Sequence, residues 1–185
     1  MRIIAGEARG IPLVAPKGSS TRPTSDRAKE GLFNIIGSSI KGSIFLDLFS
    51  GSGGIGIEAI SRGAIACVFV DSSRSATIAI KENLRKAKLS DRAEVLEVTA
   101  KNAINILRNR LEPFNYVFLD PPYEGGQVGE TVKALASSGI LSIDCSVIIE
   151  TGARSPLPDI REDFETIEDR KYGQSRFVFL KRGSG

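Results

Sequence analysis

The chain has 185 residues, 41% apolar and 25% charged, with a net charge of +3 and no histidine. That length supports one domain with a real core and is cramped for two. Without imidazole a Ser-His-Asp triad is excluded, and with two distant cysteines as the only soft ligands a zinc site is not expected.

In chain order, the first 24 residues read as an extension. Arg2-Ile-Ile-Ala and Pro12-Leu-Val-Ala flank Gly6 to Gly10 as a small β-hairpin, and residues 16–24, rich in Gly, Ser, Thr and Pro, form a loop. The main domain then runs from 25 to 185. It opens with a helix capped by Ser25 or Asp26 that turns Ala28, Leu32 and Ile35 inward. Four strand-then-helix units follow. Ile44–Leu48 leads through a glycine loop into a helix near 54–62, and Ala66–Asp71 leads into one near 74–88. Ala93–Val98 precedes a helix carrying Ala103, Ile104, Leu107 and Leu111, and the strand 115–120 precedes a helix near 127–138. A fifth strand is Cys145–Glu150. After residue 160, Phe164–Lys171 and Ser175–Leu180 are joined by Tyr172-Gly-Gln174 as a β-hairpin. Apolar strands alternating with helices predict an α/β fold. Its core is a seven-stranded, mostly parallel twisted sheet with helices on both faces, finished by an antiparallel C-terminal hairpin.

No segment has the apolar length of a membrane span, and the N-terminus has no apolar core long enough for a signal peptide. Cys67 and Cys145 lie in apolar runs and read as buried thiols in a reducing cytoplasm. The charge is uneven. Residues 1–41 carry seven basic and three acidic side chains, a net +4, so the remainder sums to −1. A basic N-terminal segment beside a neutral body suits an anionic partner docking at one end, although a solvated surface accounts for charge alone.

Two motifs carry chemistry. The strand Asn115-Tyr-Val-Phe-Leu ends on Asp120-Pro121-Pro122-Tyr123. Asp120 and the carbonyl of Pro121 can accept hydrogen bonds from an exocyclic amine, the prolines stiffen the turn, and the Tyr123 ring offers a stacking surface for a base. A strand end with a rigid turn is the plain alternative. The second motif, Asp47-Leu-Phe-Ser-Gly51-Ser-Gly53-Gly54-Ile-Gly56, follows the first strand and opens the first helix of the sheet. Glycines there allow a tight turn and close ligand approach, and Asp71 ends the second strand where a carboxylate can take the hydroxyls of a ribose. The string also satisfies Gly51-x-Gly53-x-x-Gly56, so a nicotinamide or flavin oxidoreductase is a rival. Asp47, four residues before the first glycine, suits a ligand bearing an ammonium group better than a pyrophosphate.

Taken together, the acid before the glycine loop, the acid ending strand two and Asp-Pro-Pro-Tyr ending strand four resemble the class I S-adenosylmethionine-dependent methyltransferases that modify exocyclic amines. Arg2-Ile-Ile-Ala-Gly6-Glu-Ala-Arg9-Gly10, Arg22-Pro23-Thr24-Ser-Asp26-Arg27-Ala-Lys-Glu30-Gly-Leu-Phe33-Asn34 and the closing Tyr172-Gly-Gln-Ser narrow the resemblance. They are similar to the bacterial 16S ribosomal RNA guanine-N2 methyltransferase family. The resemblance implies a Rossmann-like sheet, S-adenosyl-L-methionine as cofactor, and methylation of a guanine N2 amine in small-subunit RNA by a monomer without a metal. It implies cofactor contacts from Asp47, Phe49, Ser50, Gly51, Gly53, Asp71, Ser72, Thr99, Ala100 and Asp120. Catalytic roles fall on Asp120, Pro121, Pro122 and Tyr123, and contacts to 16S ribosomal RNA on Arg2, Arg9, Lys17, Arg22, Thr24 and Arg27. Thr99 stands where the family usually has Asp or Asn for the adenine amine. A DNA adenine-N6 methyltransferase shares Asp-Pro-Pro-Tyr, but the chain has no room for a separate target-recognition domain.

Overall fold

The computed structural model describes residues 1–18, 24–121, 127–160 and 163–183. Seven strands form one sheet in the order β3-β2-β1-β4-β5-β7-β6. They are β1 (Ile44–Leu48), β2 (Ala66–Asp71), β3 (Ala93–Glu97), β4 (Phe114–Leu119), β5 (Leu141–Gly152), β6 (Phe164–Tyr172) and β7 (Ser175–Arg182). The first five run parallel, and β7 pairs antiparallel with both β5 and β6. The strand order reverses between β1 and β4, which is where ligands bind in open α/β sheets, outside the carboxyl ends of the strands.

Side-chain alternation along the strands builds two cores. Phe45, Cys67, Phe69, Phe118, Ile148 and Phe177 face α1 (Asp26–Ile36), α2 (Gly54–Ser61) and α3 (Arg74–Ala87). Leu46, Leu48, Val70, Val117, Leu119 and Ile149 face α4 (Ala100–Leu107) and α5 (Gln127–Ala136). Cys67 and Cys145 are both buried, and desolvation pushes the Cys145 thiol up to about 12. Among the described residues, no helix is long and apolar enough to cross a membrane.

The elements match the predicted order, and most ends differ by small shifts; the exceptions are α4, which stops at Leu107 and leaves the expected Leu111 exposed outside the helix, and β5. That strand begins at Leu141, because an irregular register against Phe114 and Tyr116 lets it extend past the apolar run. Two 3-10 turns, Gly37–Ile40 and Ser90–Arg92, close the segments after α1 and α3.

The N-terminal segment is a hairpin path with a single bridge, Arg2 to Pro12. It is fixed by the body of the protein more than by its own pairing. Ile3, Ala8 and Leu13 join the core beside α1, α2 and α3. Glu58 of α2, fully buried, accepts the Ile4 and Ala5 amides at 2.8 and 2.9 Å, the Lys29 ammonium at 3.1 Å and Arg62 Nε at 2.8 Å. Lys29 in turn donates to the Arg2 carbonyl at 2.5 Å. Asn83 of α3 accepts the Val14 amide and donates to the Val14 and Ser52 carbonyls. A buried ion pair survives only when its remaining polar groups are bonded, and here they are.

Candidate active site at the carboxyl ends of the strands

Three acids lie at or near the carboxyl ends of neighbouring strands, on the face that carries α1, α2 and α3. Asp47 is opposite Phe118 in register, Asp120 follows Leu119, and Glu150 follows Ile149. Asp47 and Glu150 are buried, and Asp120 is partly open at the pocket end of its strand. Among the described residues none of the three forms an ion pair with a lysine or arginine. Desolvation raises the Asp47 carboxyl to about 7, against the opposing effect of the Gly56 amide and with help from Asp71 and Glu150. Asp120 is pushed well above the ordinary carboxylate range by desolvation and then by the charges of Glu150 and Asp47. Glu150 is raised by burial, with hydroxyl donors Thr24 and Ser175 working the other way.

The glycine loop sits directly over β1. Phe49 lies at φ 62°, a left-handed conformation that a non-glycine residue holds only when its surroundings enforce it. Ser50 supplies that enforcement: its amide donates to the Val70 carbonyl at 2.9 Å, and its Oγ accepts the Val70 amide and donates to the Asp47 carbonyl. Gly53, at φ 76°, is the left-handed N-cap of α2. At Gly56 the requirement is space, since a Cβ there would lie 2.4 Å from the Phe69 ring and 2.7 Å from Cys67 Sγ. The third glycine of the pattern therefore serves helix-to-strand packing.

Asp71 ends β2 beside this loop. Its Oδ2 accepts the Gly51 amide and its Oδ1 the Ser73 amide, both at 2.8 Å. Each carboxylate oxygen retains a lone pair, so the group can still accept two hydroxyls. A cavity of about 640 Å³ opens here, lined by Phe49, Val70, Asp71, Ser72, Val98, Thr99, Ala100 and Lys101 and closed by Gln127, Glu130, Thr131 and Ala134 of α5. That volume suits a nucleoside-sized ligand. Thr99 lines the cavity and is also the N-cap of α4, its Oγ1 accepting the Asn102 amide at 3.3 Å. One lone pair of that hydroxyl is thereby committed to the helix.

The sequence-predicted residues therefore separate into groups. Phe49, Asp71, Ser72, Thr99 and Ala100 meet at the cavity, and Ser50, Gly51 and Gly53 form the loop beside it. Asp47, Asp120 and Pro121 stand at the adjoining strand ends. Pro122, Tyr123 and Arg22 lie outside the described residues. Arg2, Arg9, Lys17 and Arg27 are exposed, with Arg2 Nε 3.3 Å from Asp26. Thr24 instead turns inward, its Oγ1 donating to Glu150 at 2.7 Å. Sequence reasoning missed Glu150 and the α5 wall. Glu150 carried the same signal as the other acids, a carboxylate ending an apolar strand.

The family model described as "Conserved hypothetical protein 95" matches residues 1–181. The protein YlbH of Bacillus subtilis (strain 168) is 37% identical over 184 residues, covering 99% of this chain and 100% of that protein. Ribosomal RNA small subunit methyltransferase D of Escherichia coli (strain K12) is 31% identical over 182 residues, 98% of this chain and 90% of that protein. The solved structure of yhhF from Escherichia coli superposes with a TM-score of 0.85 at 31% identity, covering 100% of this chain and 99% of that one. The chain belongs to the Conserved hypothetical protein 95 family, which it shares with the ribosomal RNA small subunit methyltransferases D.

Proposed function

We propose that this protein transfers a methyl group from S-adenosylmethionine to the exocyclic N2 amine of a guanine in 16S ribosomal RNA. The observation that carries the reading is the trio Asp47, Asp120 and Glu150. Three carboxyls packed at the switch point without a cation among the described residues favour a ligand that brings positive charge. S-adenosylmethionine fits, with an ammonium and a sulfonium, and it supplies an electrophilic methyl when bound. A dinucleotide does not, because its pyrophosphate would face the Asp47 side of the loop.

Asp71 would hold the ribose hydroxyls, with Phe49, Thr99 and Ala100 around the adenine, and Asp47 would face the ammonium end. Asp120 would accept a hydrogen bond from the target amine, with the Pro121 carbonyl as a second acceptor. Together they draw the nitrogen toward tetrahedral geometry and stabilise the positive charge that develops on it. The rest of the acceleration comes from alignment, which needs no histidine. A guanine in structured RNA must leave its stack to reach Asp120, and the Tyr123 ring would receive it. The exposed Arg2, Arg9, Lys17 and Arg27 would contact RNA phosphates.

The test is Asp120→Ala. Calorimetry should show S-adenosylmethionine binding retained, while methyl transfer to small subunits from cells lacking the modification falls by orders of magnitude. Retained transfer would remove Asp120 from the reaction.

A further inference from the structure

Glu150 is a buried carboxyl to which the proposed reaction gives no role beyond its negative charge. It stands one residue past the Leu119–Ile149 register pair, beside Asp120 on the adjoining strand. Leu119 and Ile149 belong to the core under α4 and α5, so Asp120 and Glu150 both turn to the opposite face, where Asp47 also lies. Adjacent strands run about 4.8 Å apart, which puts the two carboxyls in direct electrostatic reach. Glu150 is 4% exposed, and its partners are hydroxyls: Thr24 Oγ1 at 2.7 Å, and Ser175 across the β5–β7 pair. Hydroxyl donors stabilise the ionised form without neutralising it. When this pair holds a single proton, that proton therefore favours Asp120, which has no comparable hydroxyl donor among the described residues. The charged groups facing the pair are Asp47 from β1 and, behind it, Asp71 from β2.

We propose that Glu150 is a positioning residue for methyl transfer, held ionised by Thr24 and Ser175 so that Asp120 is the stronger proton acceptor beside the target amine. The inference rests on the reading of Asp120 given under Proposed function. In the step itself the guanine N2 lone pair forms the new N–C bond. The electrons of the breaking C–S bond pass to sulfur, leaving a neutral thioether. The nitrogen, now cationic, gives one proton to the Asp120 carboxylate and ends as a neutral methylamine. The site loses the sulfonium charge and one carboxylate charge together, so its net charge does not change. The product state, one proton and one charge on the pair, is also the state that two crowded carboxyls prefer. Thr24 precedes the Ser25 cap of α1, so the same hydroxyl ties the start of α1 to the carboxyl beside the proton acceptor.

The experiment is single-turnover methyl transfer from S-adenosylmethionine to small subunits lacking the modification, followed across the acid limb of its pH profile. Glu150→Gln should move that limb to lower pH by about one unit or more, the coupling expected of interacting carboxyls, and lower the plateau rate. Glu150→Gln should still bind S-adenosylmethionine in calorimetry, weakened by the loss of one nearby carboxylate charge but not abolished. Thr24→Val should move the limb in the same direction by a smaller amount, because Glu150 then ionises less readily. Superimposable limbs for wild type and Glu150→Gln overturn the proposal. If Glu150→Gln does not fold, as shown by lost cofactor binding, an unmoved limb in Thr24→Val overturns it instead. Failure of the underlying reading looks different: wild-type protein then gives no transfer to 16S RNA at any pH.

Discussion

The Gly56 amide donates to Asp47 Oδ2 at 2.9 Å, tying the end of β1 to the first turn of α2 across the glycine loop. One buried carboxylate oxygen thus organises the loop, and under the proposed function the other would face the ammonium of the cofactor. This contact also makes the state of Asp47 a measurable property.

Asp47 sits near 7 in the free protein, above the ordinary 3.8. For a raised carboxyl the sign is fixed: its contribution to folding is present below the unfolded value and is lost as pH rises from about 3.8 to about 7. A cationic ligand reverses the preference, since it favours the ionised form. Cofactor affinity should therefore fall by up to about tenfold per unit as pH drops below 7. Asp47→Asn should flatten this dependence relative to wild type. Calorimetry at several pH values checks it, and equal slopes in both proteins would exclude Asp47 as the responsible group.

Asp71→Ala removes the acceptor of the Gly51 and Ser73 amides along with the ribose contact. Loss of hydrogen bonds to a charged group should weaken S-adenosylmethionine by about 1–3 kcal/mol. Thr99→Asp keeps an N-cap, because Asp caps helices as well as Thr does, so any change in affinity reports on the adenine and not on α4. Titration of both variants tests the two ends of the nucleoside separately.

Lys29→Met leaves Glu58 buried with Arg62 as its remaining cation. Breaking a buried pair from one side should destabilise by about 3–5 kcal/mol, read as a lowered urea midpoint. Removal of residues 1–18 should do more, since it also strips Ile3, Ala8 and Leu13 from the core. Such a truncation is a test of folding before it is a test of RNA binding. A truncated protein with wild-type stability would contradict the account of this segment as a core component.

Gly56→Ala places a methyl 2.4 Å from the Phe69 ring. Overpacking there should cost about 1–3 kcal/mol and displace α2, weakening cofactor binding as the loop moves with it. Thermal melts with and without S-adenosylmethionine separate the two effects.

The parallel strands were legible as short, largely apolar runs ended by an acid or a glycine turn, whereas β6 is mostly polar and shows only as one arm of a hairpin; the pleat then fixes which acids share a face. Asp47, Asp71 and Asp120 could be read from those offsets. Glu150 carries the same strand-end signal, but what it pairs with lies in the β4–β5 register and in Thr24, 126 positions away. The buried Lys29–Glu58–Arg62 group was invisible for a related reason. Each charge looks like solvated surface until α1, α2 and the N-terminal segment are packed together. Thr99 was read as a ligand contact, and its second duty as a helix cap follows only from the α4 boundary.

The most direct test of the central claim is chemical identification of the product. Wild-type protein is incubated with S-adenosylmethionine carrying an isotopically labelled methyl group and with small subunits from cells lacking the modification. The 16S RNA is then digested to nucleosides for mass spectrometry. The account predicts label in N2-methylguanosine, formed by wild type and lost in Asp120→Ala. Label in another nucleoside, or none while S-adenosylmethionine binds normally, would contradict it.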